Sequence, residues 1–531
     1  MMKAFVSLVA ATTLTWSAAL AAQAPVKSAG FPPARFTDPD RVAKLTSSFG
    51  DIDRVFKEYA EGQHIPGAVW GIIIDGKLAH VRVTGYRDVA SKAPVDSGTV
   101  FRIASMTKSF TALAILKLRD EGKLSLDDLA EKWVPELAGL TYATSDSPRL
   151  TIRLLMSHAT GFPEDNPWGD QQLAVTDEEM SKMMRAGIPF SNAPGVAYEY
   201  SNYGFAILGR IVTKASGMPY RQYVQQTILR PLGMTSTTLE PRTVPAARLA
   251  QGYRWEDEQW KLEPQLPDGA FGSMGGMLTS ARDLGVYVGM YLTAWPPHDG
   301  PETGPVKRSS MREMQQVQRP RPATVTRAPN GALQLYSGGY AYGLGVSGDC
   351  NFAHIVAHSG GLPGFGSLMR WLPEYGVGII AFGNRTYTNW AGPASDAFAI
   401  MLKTGGLVPR VPQPSAVLTA RREAVSRLVM QWNDKLADSL AAVNLFLDRS
   451  RDRREAEIEK LRAEVGPCRA GTGFDVVDNG LRGQWTMPCD RGALRVSITL
   501  APTTPPTVQF FEVSRAPSTP PPPRALCPNE P

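Results

Sequence analysis

At 531 residues the chain exceeds what one ordinary hydrophobic core serves, so two folded units are expected. Apolar residues make up 43% and charged residues 20%, which excludes a disordered or collagen-like chain. The net charge of +6 is spread along the whole length, and no stretch interleaves Lys or Arg with aromatics, so nucleic-acid binding is set aside.

Residues 1–21 read as an export signal. Lys3 supplies the positive start, residues 4–20 are apolar and small, and Ala19-Leu20-Ala21 gives a small-x-small cleavage pattern. The run is short for a spanning helix, so no stable membrane span is expected after cleavage. The protein is expected to be exported, either periplasmic or secreted. A Pro/Ala-rich leader occupies residues 22–39, and residues 40–407 form the first folded unit. Within it, Ile52, Val55, Phe56 and Tyr59 share one face of a helix over residues 51–61. Strand-like runs follow at 67–74 and 77–83, joined by the two-residue hairpin signal Asp75-Gly76.

Phe101 to Ala104 lead into Ser105, and the run after it carries Phe110, Leu113, Ile115, Leu116 and Leu118 before stopping at Gly122. A helix apolar on most sides belongs at a domain centre. Further helices are expected at 151–157, 203–215, 220–229 and 394–403, with strands at 367–372 and 376–382. Strands at both ends with helices between them predict an α+β fold, an antiparallel sheet flanked by helices plus an all-helical region. Pro409, Pro412 and Pro414 mark a linker over 408–415. Residues 416–515 then read as a small α+β domain, with a charged helix at 449–464 and strands at 481–487, 493–500 and 507–513. Its Trp485, Phe510 and Phe511 are expected in the core. A Pro-rich tail covers 516–531. Cys468 and Cys489 are placed to close a loop in this domain, while the pairing of Cys350 and Cys527 stays open.

The chemistry centres on Ser105-Met106-Thr107-Lys108. A serine hydroxyl needs a base within reach, and residues three apart on a helix share a face. An apolar helix would desolvate Lys108 and draw its pKa towards neutrality. Tyr200-Ser201-Asn202 precedes another helix. A phenol beside a lysine ammonium is expected to have a lowered pKa and to accept a proton, and Asn202 offers an amide to orient substrate. His358-Ser359-Gly360-Gly361 follows a strand-like run. Glycines there let substrate approach backbone, the N–H groups of Gly361 and Ser105 offer an oxyanion hole, and His358 is a candidate for binding a substrate carboxylate.

In this order and spacing, SxxK, Tyr-x-Asn and His-x-Gly resemble the serine β-lactamase and penicillin-binding protein superfamily, whose relatives carry SxxK, SDN and KTG. The middle motif is similar to that of the class C β-lactamase-like branch, peptidase family S12. The resemblance spans roughly residues 51–407 and includes Leu150 to Pro163 and Gly275-Gly276-Met277-Leu278. It implies a β-lactamase/transpeptidase-like fold and an acyl-enzyme on Ser105, with Lys108 and Tyr200 moving its proton and the choice of base between them open. It implies that Asn202, His358, Ser359, Gly360 and Gly361 bind substrate. Esterase or D-amino-acid peptidase/carboxypeptidase activity is expected on a small molecule or peptide with an ester or amide carbonyl. The alternatives are a class C-like β-lactamase and a non-catalytic binding module. His358 stands where class C β-lactamases carry Lys, which counts against efficient lactam hydrolysis. No cofactor and no metal are expected, and the oligomeric state is open.

Two other chemistries fail on their motifs. An α/β-hydrolase needs a GxSxG elbow, and Gly345-Val346-Ser347-Gly348-Asp349 breaks it at the last position. His354 and His358 lack the Glu of a zinc-binding HExxH helix, so His354 reads as a sheet-surface residue. His158 reads as a structural helix-end residue. Trp168, Trp255 and Trp260 are expected to be buried packing residues, with a cleft wall as the alternative.

Overall fold

The computed structural model describes residues 27–327, 331, 333–517 and 527. The expected export signal and most of the Pro-rich tail lie outside the described residues. A strand apolar at every position needs a layer on each face, and the run GAVWGIII does form a strand, β1 (Gly67–Ile74), with all eight residues buried. It is an interior strand, third in order, of a nine-stranded antiparallel sheet. The other strands are β2 (Lys77–Asp88), β3 (Ala93–Pro94), β4 (Arg319–Arg327), β5 (Leu333–Tyr340), β6 (Gly345–Gly348), β7 (Ile355–Leu362), β8 (Phe365–Leu372) and β9 (Val377–Gly383). Their order is β3-β2-β1-β9-β8-β7-β6-β5-β4. The Asp75-Gly76 turn has both residues at positive φ, 50° and 80°, the twist that joins two antiparallel strands most tightly.

The period of two along β1 divides its side chains between two cores. Ala68, Trp70, Ile72 and Ile74 face a layer made by α1 (Phe49–Gly62) and α5 (Ala391–Lys403). Val69 and Ile73 face the larger helical layer of α2 (Thr107–Asp120), α3 (Asn202–Ser216) and α4 (Ala281–Thr293). Eleven residues of α2 are buried, as a central helix requires, and its Phe110 ring stacks on Tyr287 at 3.8 Å. The architecture is therefore α+β, an antiparallel sheet flanked by helices. Residues 220–229 depart from one regular helix: Tyr220–Val224 is α-helical and Gln225–Leu229 continues in wider π turns.

Beyond Pro409 the chain stays pinned. Arg35 and Val411 exchange both backbone hydrogen bonds, and Arg410 Nη1 donates to Pro373 O at 2.7 Å. A second sheet follows, with β10 (Val476–Asn479), β11 (Arg482–Cys489), β12 (Gly492–Leu500) and β13 (Val508–Arg515) in sequential antiparallel order. It shares a core with α6 (Ala416–Met430) and α7 (Arg451–Val465). Trp485 and Phe511 are in that core, but Phe510 is 48% exposed, because neighbours on a strand point to opposite faces. Cys468 bonds to Cys489 inside this unit, and Cys350 bonds to Cys527, tying the far end of the chain to the β6–β7 connection. Among the described residues no helix is long and apolar enough to cross a membrane.

Trp371 on β8 is fully buried, 5.2 Å from the Tyr291 ring, and its indole donates to the buried Gln315 Oε1 at 2.8 Å. Trp371→Ala should lower stability by about 3–5 kcal/mol from the cavity. Trp371→Phe should cost about 1–3 kcal/mol, chiefly by orphaning Gln315. Chemical denaturation of the full chain measures both, and a near-neutral Trp371→Ala would contradict this packing.

Candidate active site

The nucleophile is presented by a strained turn. Residues 101–102 pair with 278–279, then Ala104 adopts φ 48°, a left-handed conformation costing an alanine about 1–2 kcal/mol. A single 3-10 turn, Ala104–Met106, carries Ser105 before α2 begins. Ser105 is 8% exposed, while Lys108, one turn on, is completely buried. Lys108 Nζ lies 3.0 Å from Ser105 Oγ, 2.6 Å from Asn202 Oδ1 and 2.9 Å from the Met274 carbonyl.

These three partners are not equivalent. The Asn202 and Met274 oxygens can only accept, so they hold two N–H bonds in either protonation state of the amine. When Lys108 is neutral, its lone pair is left facing the Ser105 hydroxyl. Burial lowers the Lys108 pKa to about 7 against the opposing pull of Asp170, Asp165 and Glu164, so the neutral form is populated near neutral pH.

Asn202 is held on every side. It opens α3, capped by the Ser201 hydroxyl, which accepts from Gly204 N at 3.1 Å. Asp165 accepts from the backbone N–H groups of Asn202 and Tyr203 at 2.7 and 2.8 Å. The Asn202 amide donates to Asn166 Oδ1 at 2.7 Å, which fixes Oδ1 toward Lys108. Tyr200 sits just before, its ring centroid 4.7 Å from Lys108 Nζ. The phenol departs from the expected lowered pKa: burial pushes it well above its ordinary value, although the neighbouring Ser105 hydroxyl acts the other way. It is therefore a proton donor at rest.

His158 does more than end a helix. Its carbonyl accepts from Glu199 N at 2.9 Å and its Nδ1 accepts from Ser201 N at 3.1 Å, so one residue grips the backbone on both sides of Tyr200. Its ring lies 4.3 Å from that of Tyr200. Burial and the Lys108 charge hold it neutral, as an accepting Nδ1 requires. The Leu154-Leu155-Met156-Ser157-His158 run gives no sign of this, because the contact spans 43 residues.

The third motif lies on β7. His358 Nδ1 faces the Ser359 carbonyl at 2.6 Å and must donate to it, so Nε2 accepts from the Tyr340 hydroxyl at 3.0 Å. Burial, then the nearby Lys108 charge, depress His358 to about 3. With both nitrogens occupied and no charge, the side chain is no carboxylate anchor, contrary to the sequence-based expectation. Ser359 is exposed. A Cβ at Gly360 would fall 2.1 Å from the Ile103 carbonyl, so only glycine lets β7 press against the nucleophile turn. β6 pairs with β7 only from Ile355 to Ala357, leaving the edge from His358 to Gly361 without a strand partner on that side.

The beta-lactamase family model matches residues 52–400, the segment that contains all three motifs. The chain belongs to the beta-lactamase family. Among its relatives in this family, Protein flp of Staphylococcus aureus (strain MW2) is 32% identical over 340 residues, 63% of this chain and 62% of that protein. Beta-lactamase-like protein 2 of Dictyostelium discoideum is 31% identical over 265 residues, 48% of this chain and 47% of that protein. The chain thus spans less than two thirds of the length of the curated relatives it matches. The octameric penicillin-binding protein homologue from Pyrococcus abyssi shares the fold, with a TM-score of 0.56 at 23% identity over 86% of this chain and 91% of that one. That likeness reaches past the family segment into the C-terminal unit.

Outside the three family motifs the tryptophans divide. Trp168 is 46% exposed and borders an apolar cavity with Phe162, Met183 and Ile188. Trp255 and Trp260 instead fasten a small hairpin: Trp255 stacks on the His64 ring at 4.3 Å and Trp260 donates to the His64 carbonyl at 2.8 Å. Among the described residues no three His, Cys, Asp or Glu side chains form a metal-holding group.

Two measurements check this geometry. Protonation of Lys108 occupies the lone pair, so the rate of Ser105 labelling by a fluorophosphonate should climb about tenfold per pH unit below about pH 7 and level off above it. A flat profile from pH 5 to 9 would exclude Lys108 as the acceptor. His158→Leu should slow labelling about tenfold or more, whereas His158→Asn, which keeps an acceptor and tolerates the left-handed backbone seen at φ 52°, should recover much of it. Equal losses in the two variants would make His158 merely structural.

Proposed function

We propose that the chain is a serine hydrolase of the S12 type, working through an acyl-enzyme on Ser105 with Lys108 as the base. The observation carrying this reading is the 3.0 Å contact between Lys108 Nζ and Ser105 Oγ, with the other two amine partners restricted to accepting. As Oγ bonds to the substrate carbonyl carbon, its proton passes to Nζ, and the carbonyl electrons move onto oxygen between the N–H groups of Ser105 and Gly361. Collapse of this intermediate breaks the bond to the leaving group, which takes the Tyr200 proton. Lys108 then returns its proton to the phenolate. Water repeats the sequence on the acyl-enzyme: its proton passes to Lys108, and the ester bond to Ser105 breaks as Oγ is reprotonated. Lys108 and Tyr200 titrate as a pair in this scheme.

Ester cleavage, or peptidase and carboxypeptidase action on D-amino-acid substrates, fits the site better than lactam hydrolysis. A neutral, doubly bonded His358 offers no cation to a lactam carboxylate. The non-catalytic alternative is disfavoured because the nucleophile, amine, phenol and amide are all assembled. Two disulfides support an exported location, periplasmic or secreted, since such bonds persist in oxidising compartments.

A fluorophosphonate should label the wild type at Ser105, and Ser105→Ala should abolish the label. In a panel of p-nitrophenyl acetate, nitrocefin and D-Ala-D-Ala peptides, ester kcat/KM should exceed that for nitrocefin by about tenfold or more. An unlabelled wild type would sink the hydrolase reading, and a dominant nitrocefin activity would replace it with the β-lactamase one.

A further inference from the structure

Asp170 is 3% exposed, and among the described residues it accepts a single hydrogen bond, from the Tyr387 hydroxyl to Oδ2 at 3.0 Å. A buried carboxylate ordinarily fills its lone pairs with several donors or a cation. The neighbouring acidic groups do so. Asp165 takes two backbone N–H groups and faces the Ser201 hydroxyl, and Glu199 takes Glu164 N, the Ser191 hydroxyl and the Asn192 amide. Among the described residues Asp170 accepts fewer hydrogen bonds than either of these, and the positive charge acting on it is that of Lys108.

Its position gives that deficit a direction. The adjacent Gly169 rests on the Asn202 amide, where a Cβ would meet Nδ2 at 2.7 Å. On the other side, Tyr387 leans on Gly361, where a Cβ would meet its ring at 2.7 Å. Asp170 with Tyr387 thus links the Asn202 amide to the Gly361 edge of β7, the two groups on one side of Ser105. Tyr200, which serves the leaving group, lies instead against His158, whose ring also meets those of Tyr198 and Tyr340. The acyl portion of a substrate therefore lies on the Asp170 side.

We propose that the Asp170 carboxylate, with Tyr387 as its resting partner, recognises an ammonium group on the acyl side of the substrate, so that the enzyme prefers aminoacyl esters and amides with a free amine. This rests on the acyl-enzyme reading above. No bond is made or broken at Asp170: the ammonium supplies the donors the carboxylate lacks, and no side chain of the third motif competes with a counter-charge.

The test compares alanine methyl ester with N-acetylalanine methyl ester, each as the D and the L form, at pH 7, followed by release of the acid. The wild type should favour the free amine by about tenfold or more in kcat/KM, the scale of a charge-assisted hydrogen bond. In Asp170→Asn that ratio should fall to about one or below. A wild-type ratio near one overturns the proposal without any variant. Equal losses on both esters in Asp170→Asn also overturn it, leaving Asp170 as an electrostatic neighbour of Lys108. Failure of the fluorophosphonate to label wild-type Ser105 would instead defeat the hydrolase reading, so the two failures are distinguishable.

Discussion

An amine taken out of water needs an acceptor for every proton it carries, and much of the catalytic unit is arranged to meet that need for Lys108. One acceptor is a backbone carbonyl, Met274; one is an amide oxygen, Asn202; the third is the reacting hydroxyl itself. The two passive acceptors demand rigid supports, and the structure supplies them. Asn202 is oriented by Asn166 from one side, and its helix terminus is fixed by Ser201 and Asp165. Ser105 is fixed by the left-handed turn at Ala104, and that turn by β7 pressing in at Gly360. Loosening any of these supports would turn the amine or the hydroxyl away from the other. That is why the residues around the reaction are held by hydrogen bonds to backbone more than by packing alone.

The parts of this arrangement that were legible in the sequence are those carried by local spacing. Ser105 and Lys108 are three apart, so any helix-like turn brings them together, and the apolar content of the following helix announces the burial that depresses the lysine. The Asp75-Gly76 hairpin and the all-apolar β1 follow from turn chemistry and two-sided burial in the same way. Other features depend on contacts that no local pattern encodes. The partner of His358 Nε2 is Tyr340, on a different strand, so no local pattern reveals that both ring nitrogens are occupied. The direction of the Tyr200 shift is set by desolvation, which depends on tertiary packing and not on any local pattern. His158 and Asp170 lie between the first and second motifs, and their partners Ser201 and Tyr387 are 43 and 217 residues away, beyond any local pattern. Composition alone points Phe510 to the core, whereas strand alternation puts it outside.

The C-terminal unit is attached by more than its linker. The Arg35–Val411 backbone pair brings leader and linker side by side, and the Cys350–Cys527 bond returns the end of the chain to the catalytic sheet. Cys350 lies on the connection leading into β7, the strand that carries the third motif. The unit is therefore covalently joined to the catalytic sheet at two places, the linker and this bond, which restricts how far it can move from the strand carrying His358 to Gly361.

The third motif also decides what lowers the Lys108 pKa. In a site with a permanent cation at position 358, like-charge repulsion would share in holding the lysine neutral. His358 carries no charge here, so burial alone opposes Asp170, Asp165 and Glu164. The Asp165 charge is partly offset by the backbone N–H groups at the start of α3. With Lys108 in its reactive neutral form, the site then holds a neutral amine, phenol and imidazole, with the Asp170 carboxyl nearby. A lysine at position 358 would add a permanent cation beside these groups, whereas His358 adds none.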